Sequence, residues 1–152
     1  MRLEEAIKQP RFNNEFEKAD VNILYTANWM HGRFHYILKP YGISLQQFNI
    51  LRILRGQNGN PAPLKLITER MLDKMSNTSR LVDKMLIKNL LERKICPENR
   101  RQVEILLTKK GLDVCNEISE VMEKSRRDAQ PLSEKEAAEL NRLLDKIRSK
   151  TQ

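Results

Sequence analysis

Apolar residues recur in steps of three and four along most of the chain, and the breaks in that rhythm divide it into elements. Ile23, Ala27, Met30, Phe34, Ile37 and Tyr41 form one helical stripe, which Pro40 and Gly42 end or bend. Ser44 opens the next helix: its hydroxyl can cap free N–H groups, and Gln47 stands three positions on, as a capping box requires. Leu45, Phe48, Leu51, Ile53 and Leu54 follow, up to the breaker cluster of Gly56, Asn58, Gly59, Asn60, Pro61 and Pro63. A short helix is predicted from Leu64 to Met71, then a turn at Asp73–Lys74–Met75. A further helix runs from its predicted cap Ser76 to about Lys88, with Thr78, Leu81, Val82 and Met85 as its buried stripe. Asn89 suits the left-handed position that ends a helix. Arg93–Cys96 and Val103–Leu107 read as two strands joined by the polar loop from Pro97 to Gln102. Thr108 caps a helix striped by Gly111, Cys115, Ile118 and Met122, which Pro131 breaks. Ser133 and Glu136 form a second capping-box pair, and Ala137, Leu140, Leu144 and Ile147 stripe the last helix. Residues 1–16 carry no such rhythm and are expected to be mobile, with Phe12 and Phe16 available to dock.

The predicted order is four helices, two strands and two helices, without an internal repeat. At 152 residues this suits one domain with helical extensions. No apolar run approaches the roughly 20 residues that a membrane span needs. The start has two acids by residue 5 and no apolar signal core, so a secretory signal is not expected. Two cysteines, Cys96 and Cys115, make no disulfide framework. A cytoplasmic protein with no membrane partner is the expectation.

Charge changes the picture because it is uneven. Residues 1–50 carry a net +1, residues 51–110 hold fourteen basic and six acidic residues for a net +8, and residues 111–152 carry a net −1. The entire excess lies in the middle block, which suits a polyanion; an anionic membrane surface, an acidic protein, or plain surface solubilisation would also account for it.

Shape decides among these. Two short helices, a tight turn, a third helix and a basic hairpin resemble a winged helix-turn-helix, with Ser76–Lys88 as recognition helix. Its first turn holds Ser76, Asn77, Thr78 and Ser79, then Arg80, with no acid, so its free N–H groups can meet a phosphate. Asn77 can pair with adenine, and Arg80 can reach guanine or phosphate. Lys74, Lys84 and Lys88 suit backbone contacts, which position without specifying sequence. Arg100 and Arg101 sit near the hairpin tip, where a narrow minor groove attracts an inserted arginine; Arg101 is the preferred inserter and Arg100 a phosphate contact or loop support. A solvated helix face and an ordinary surface loop are the plainer readings of these same residues.

The stretch "SNTSRLVDKMLIKNLLERK" followed by "PENRRQVEILLTKKG" resembles the multiple-antibiotic-resistance regulator (MarR) family. The resemblance extends from about Asn22 to Ile147. The helix pattern matches at Ser76, Ser79, Arg80, Leu81, Val82, Asp83 and Asn89, and the second half of the wing at Arg101, Val103, Leu107, Thr108 and Gly111. Cys96 and Asn99 stand where the family's wing usually has aspartates, so Asn99 offers a neutral amide in place of a charge-assisted hold on a wing arginine.

The resemblance implies a mainly α fold with a small β wing, whose terminal helices form a homodimer on palindromic DNA. Segments 1–43 and 111–152 would dimerise, and 44–110 would bind DNA. The apolar stripes of the near-neutral end segments point to the same pairing, since a winged helix needs only about 70 to 80 residues; thickening a monomer's core is the alternative. It further implies release of DNA by a small phenolic or other aromatic effector, near which Trp29, Met30, His31, Phe34, His35 and Tyr41 would lie by analogy. His31 and His35, four apart, are read as ordinary helix histidines, with no acid or cysteine to complete a metal site. With no cysteine before Cys96, the oxidant sensing of some relatives does not carry over; Cys96 is a candidate for redox sensitivity and Cys115 for inert packing. No cofactor is implied.

The leading reading is therefore a sequence-specific, ligand-responsive repressor associated with the nucleoid. A non-specific DNA- or RNA-binding protein and a winged-helix protein-interaction module are the competing classes. No nucleophile–base ordering, glycine-rich phosphate loop or metal spacing points to an enzyme.

Overall fold

A computed structural model describes residues 1–95, 103–129 and 131–149. The elements are α1 (Leu3–Ala6), α2 (Glu15–Leu38), a single 3-10 turn (Lys39–Tyr41), α3 (Leu45–Arg55), β1 (Ala62–Pro63), α4 (Leu64–Arg70), α5 (Thr78–Ile87), β2 (Leu91–Ile95), β3 (Val103–Leu107), α6 (Lys109–Ala129) and α7 (Glu134–Ser149). The chain divides into two compact units, Met1–Ile118 and Ser119–Gln152.

Local chemistry sets most helix ends. Ser44 and Gln47 close the predicted box: the Ser44 N–H donates to Gln47 Oε1 at 3.0 Å, and the Gln47 N–H to Ser44 Oγ at 3.2 Å. Thr108 Oγ1 accepts the Gly111 N–H at 3.0 Å and donates to the Asn89 carbonyl at 2.8 Å, so one hydroxyl starts α6 and ties it to the end of α5. Ser133 and Glu136 form the box that opens α7. Asn89 takes φ 56° as expected. Around it the Leu90 N–H donates to Met85 O and the Asn89 N–H to Leu86 O, the paired bonds of a Schellman motif.

The core of the first unit gathers Leu38, Phe48, Ile50, Leu51, Ile67, Met71, Val82, Met85, Ile105, Cys115 and Ile118. Of the predicted stripes, Thr78, Val82 and Met85 of α5 and Gly111, Cys115 and Ile118 of α6 are buried, whereas Leu81 and Met122 are only half-buried. Gly111 marks the tightest crossing: a Cβ there would stand 2.0 Å from the Leu90 carbonyl oxygen.

Three features differ from the sequence-based expectation. Residues 1–16 include α1, whose Leu3 is buried and whose Glu4 pairs with Lys18 at 2.7 Å. The Lys18 ammonium, foremost among several groups, holds the Glu4 carboxyl below its usual range. Asn14 caps α2 through the Glu17 N–H, so that helix starts well before Ile23. The sheet has three strands in the order β1-β3-β2, because Ala62 and Pro63, inside the predicted breaker cluster, pair with Ile105 and Glu104. Two residues carry no periodicity, and only β3 makes them a strand.

Candidate nucleic-acid interface

α4, the turn after it and α5 form the helix-turn-helix, and β2 and β3 form the base of the wing, antiparallel from Leu91↔Leu107 to Ile95↔Val103. α5 starts one residue later than the predicted cap implied. Asn77, not Ser76, is the N-cap, accepting the Arg80 N–H on Oδ1 at 3.0 Å. The reason lies in the turn: the Ser76 N–H donates to the Asp73 carbonyl at 3.2 Å, which makes Ser76 the last residue of the turn.

Asp73 organises that turn. Its Oδ1 accepts the Met75 N–H at 3.0 Å and its Oδ2 accepts the Gln46 amide at 3.4 Å. The adjacent Ser76 hydroxyl, then these two donors, and lastly the charge of His31 hold the Asp73 carboxyl below the usual carboxylate range. The Ser76 oxygen is buried and completes no hydrogen bond of full geometry, so it acts on Asp73 by proximity. Asn49 Oδ1 accepts the Leu72 N–H at 2.8 Å, and the Lys74 ammonium donates to the Glu69 carbonyl. The link between the two helices is therefore pinned from both sides.

α5 buries Thr78, Val82 and Met85 and exposes Ser79, Arg80, Asp83, Lys84, Ile87 and Lys88. No acid lies in its first turn. Asn77, Arg80, Lys84 and Lys88 follow one another at three- and four-residue steps. With Ser76 they line a polar groove of about 540 Å³ whose other wall includes Gln46 and Asp73. The Lys88 ammonium is already engaged there, donating to the Gly42 carbonyl. Ser79 lies on the neighbouring flank, lining with Leu64, Val82, Arg93, Val103 and Ile105 a smaller apolar crevice of about 270 Å³. Five of the nine predicted DNA contacts thus share one surface. Lys74 sits in the adjoining turn, Ser79 faces the sheet, and Arg100 and Arg101 lie outside the described residues, as do Cys96 and Asn99.

The sequence reading did not assign Asp83 and Arg93, which form an ion pair joining α5 to β2 across the Asn89 turn. Asp83 stands in the quoted helix pattern, and Arg93 lies four residues past the turn, a spacing that brings both back to the same end. Gln46 was also missed; only its contact with Asp73 identifies it.

The candidate effector residues are spread around α2 and its end. Trp29 and Met30 are exposed, as are His31 and His35, while Phe34 and Tyr41 are half-buried. The Arg33 guanidinium lies 5.0 Å over the Trp29 ring. The Tyr41 hydroxyl donates to Glu117 at 2.9 Å; burial first and that carboxylate second push its pKa up. None of the six lines either groove above. Among the described residues no cluster of three or more His, Cys, Asp or Glu could hold a metal ion, and no helix is long and apolar enough to cross a membrane.

The MarR family model matches residues 43–103, the segment that carries this interface. The regulator MgrA of Staphylococcus aureus is 33% identical over 127 residues, covering 82% of this chain and 84% of that one. This chain belongs to the MarR family. It is accordingly a winged helix-turn-helix, DNA-binding transcription regulator. The regulator PecS of Dickeya dadantii is 31% identical over 115 residues, 73% of this chain and 68% of that protein. The MarR fold is equally plain in three dimensions: the organohalide-sensing RdhR regulator, in its 2,4-dichlorophenol-bound form, superposes with a TM-score of 0.78 at 22% identity, covering 93% of this chain and 87% of that one.

Proposed function

We propose that this MarR-family chain is a cytoplasmic, nucleoid-associated repressor that works as a homodimer on a palindromic operator. The observation that carries the reading is α5 itself. It buries Thr78, Val82 and Met85 in the core, and its opposite face presents Arg80 and Lys84 beside an acid-free N-terminus. Arg80 reads a base edge. Asn77 positions the Arg80 backbone through the cap, and its amide group, with a second lone pair on Oδ1, stands at the helix end that meets a base edge such as adenine. Lys74, Lys84 and Lys88 contact phosphates, Ser76 and Ser79 support the helix entry, and Arg100 and Arg101 belong to the wing.

Residues 44–110 bind DNA, and 1–43 with 111–152 dimerise. The apolar positions of both end segments support this. Ile23 and Met30 on α2 are 37% and 43% exposed, and Leu140, Leu143 and Ile147 on α7 are 45%, 43% and 53% exposed. A two-fold copy would cover such stripes and place two α5 helices about one DNA turn, roughly 34 Å, apart. Release by a small aromatic or phenolic effector near Trp29, Met30, His31, Phe34, His35 and Tyr41 is part of the proposal; the dichlorophenol carried by RdhR supports that ligand class.

Selection of duplexes from a random pool with the purified protein tests the reading. A palindrome with half-sites one turn apart, preferred at least about 10³-fold over scrambled duplex at fixed salt, is the expected result. Equal binding of scrambled duplex or RNA would sink it. On the selected site, Lys84→Ala should lower the salt slope by about one unit per half-site, and an unchanged slope removes Lys84 from the phosphate contacts.

A further inference from the structure

Met75 has no role inside the fold. It is 93% exposed, a value exceeded among the large apolar side chains of the described residues only by Met1. Yet its backbone is held firmly: its N–H donates to Asp73 Oδ1 at 3.0 Å, and the next N–H, of Ser76, donates to the Asp73 carbonyl at 3.2 Å. Asp73 is itself held by Gln46 of α3, and Leu72, on the other side of Asp73, by Asn49 of the same helix. A solvated methionine at a pinned position gains no burial free energy when the isolated protein folds. Such a residue has a reason to be there if a partner covers it.

Its position names the partner. Met75 stands two residues before the cap Asn77, ahead of the α5 N-terminus, which is the end a recognition helix directs at base edges. Lys74 precedes it and Arg80 lies one turn into the helix, so the cationic neighbourhood suits a phosphate-flanked groove. In the major groove of B-DNA the base edges show hydrogen-bonding groups and one apolar group, the C5-methyl of thymine. An unbranched, polarisable thioether can reach and wrap a methyl group without fixed geometry. We propose that Met75 is a base-contacting residue that reads a thymine methyl by van der Waals contact, beside the polar readout by Arg80. The inference rests on α5 being the recognition helix, and adds a specificity position in the turn before it.

The test uses the full chain and the selected duplex, with each thymine of one half-site replaced singly by deoxyuridine, which removes only the methyl group. The wild type should lose about fourfold in affinity at one thymine, the transfer worth of one buried methyl. Met75→Gln should bind the thymine and deoxyuridine duplexes equally at that position, and Met75→Leu should keep part of the difference. Deoxyuridine without effect at every position, or the same loss in Met75→Gln as in the wild type, overturns the proposal. A Met75→Gln affinity lowered by the same factor relative to the wild type on each duplex, so that the difference between them survives, also overturns it, since it would place Met75 against sugar or phosphate. Selection that yields no preferred duplex removes the parent reading and this inference together, whereas a preferred duplex with no thymine effect removes the inference alone. Thermal unfolding of Met75→Gln at the wild-type midpoint confirms that the turn is intact.

Discussion

α5 and α7 are both amphipathic helices with capped starts, and they end in opposite situations. α5 buries Thr78, Val82 and Met85, and its exposed side carries cations. α7 buries none of its residues, and Leu140, Leu143 and Ile147 stand open. The difference is one of partners. α5 has α3, α4 and β2 against it within one unit, which leaves its polar face turned to solvent. The apolar stripe of α7 is the same kind of signal, and in the proposed dimer a second copy covers it. An amphipathic pattern states that a face will be covered, and packing decides by whom.

The comparison can be broken experimentally, and the largest effect should come from α7. Leu140→Asp with Ile147→Asp places two charges on the open stripe. Sedimentation should show monomer at micromolar protein, and operator affinity should fall by at least about 100-fold as the second half-site is lost. A dimer that persists would show that α7 is not part of the interface. In α5, Met85→Ala should cost about 2–5 kcal/mol in urea unfolding, because the cavity opens inside a completed core. A loss below about 1 kcal/mol would mean that the α5 core is looser than its burial indicates.

Asn77→Ala should cost about 1 kcal/mol through the lost cap, and Asn77→Ser or Asn77→Asp should restore most of that stability. Stability rescued without operator affinity would assign Asn77 to base contact as well as to the cap. The smallest effect concerns pH. The folded Asp73 carboxyl sits below its unfolded value of about 3.9, so its contribution is full above that pH and fades as pH falls through the folded value. The wild type should therefore lose stability over Asp73→Asn on acidification below about pH 4, and parallel acid profiles would remove Asp73 from the turn's support.

Much of the interface was legible because its signals are local. The Ser44–Gln47 box, the Asn89 turn and the α5 stripe each depend on residues within one or two helical turns; the box and the turn form as the spacing predicts, and the stripe does so at Thr78, Val82 and Met85 while Leu81 lies half-buried at the groove. The cap of α5 shows the limit. Ser76 and Asn77 are both good cap residues, and the choice fell to Asn77 because the Asp73 carbonyl takes the Ser76 N–H. That competition is invisible without the turn. Lys88 is similar: a surface lysine in the sequence, it is tied to the Gly42 carbonyl 46 residues away.

Local signals settle the starts of α3, α6 and α7, the ends of α2, α3, α5 and α6, which face of each helix is apolar, and where positive charge concentrates, since hydrogen-bonding side chains and hydrophobic periodicity act over a few residues. Tertiary packing decided that Ala62 and Pro63 form a strand, that Ser79 turns toward the sheet while Arg80 turns to the groove, and that Met75 is left in solvent. Those outcomes depend on which distant surfaces meet. Contact between segments far apart in the chain is set by the packing of the whole core, and no local spacing encodes it.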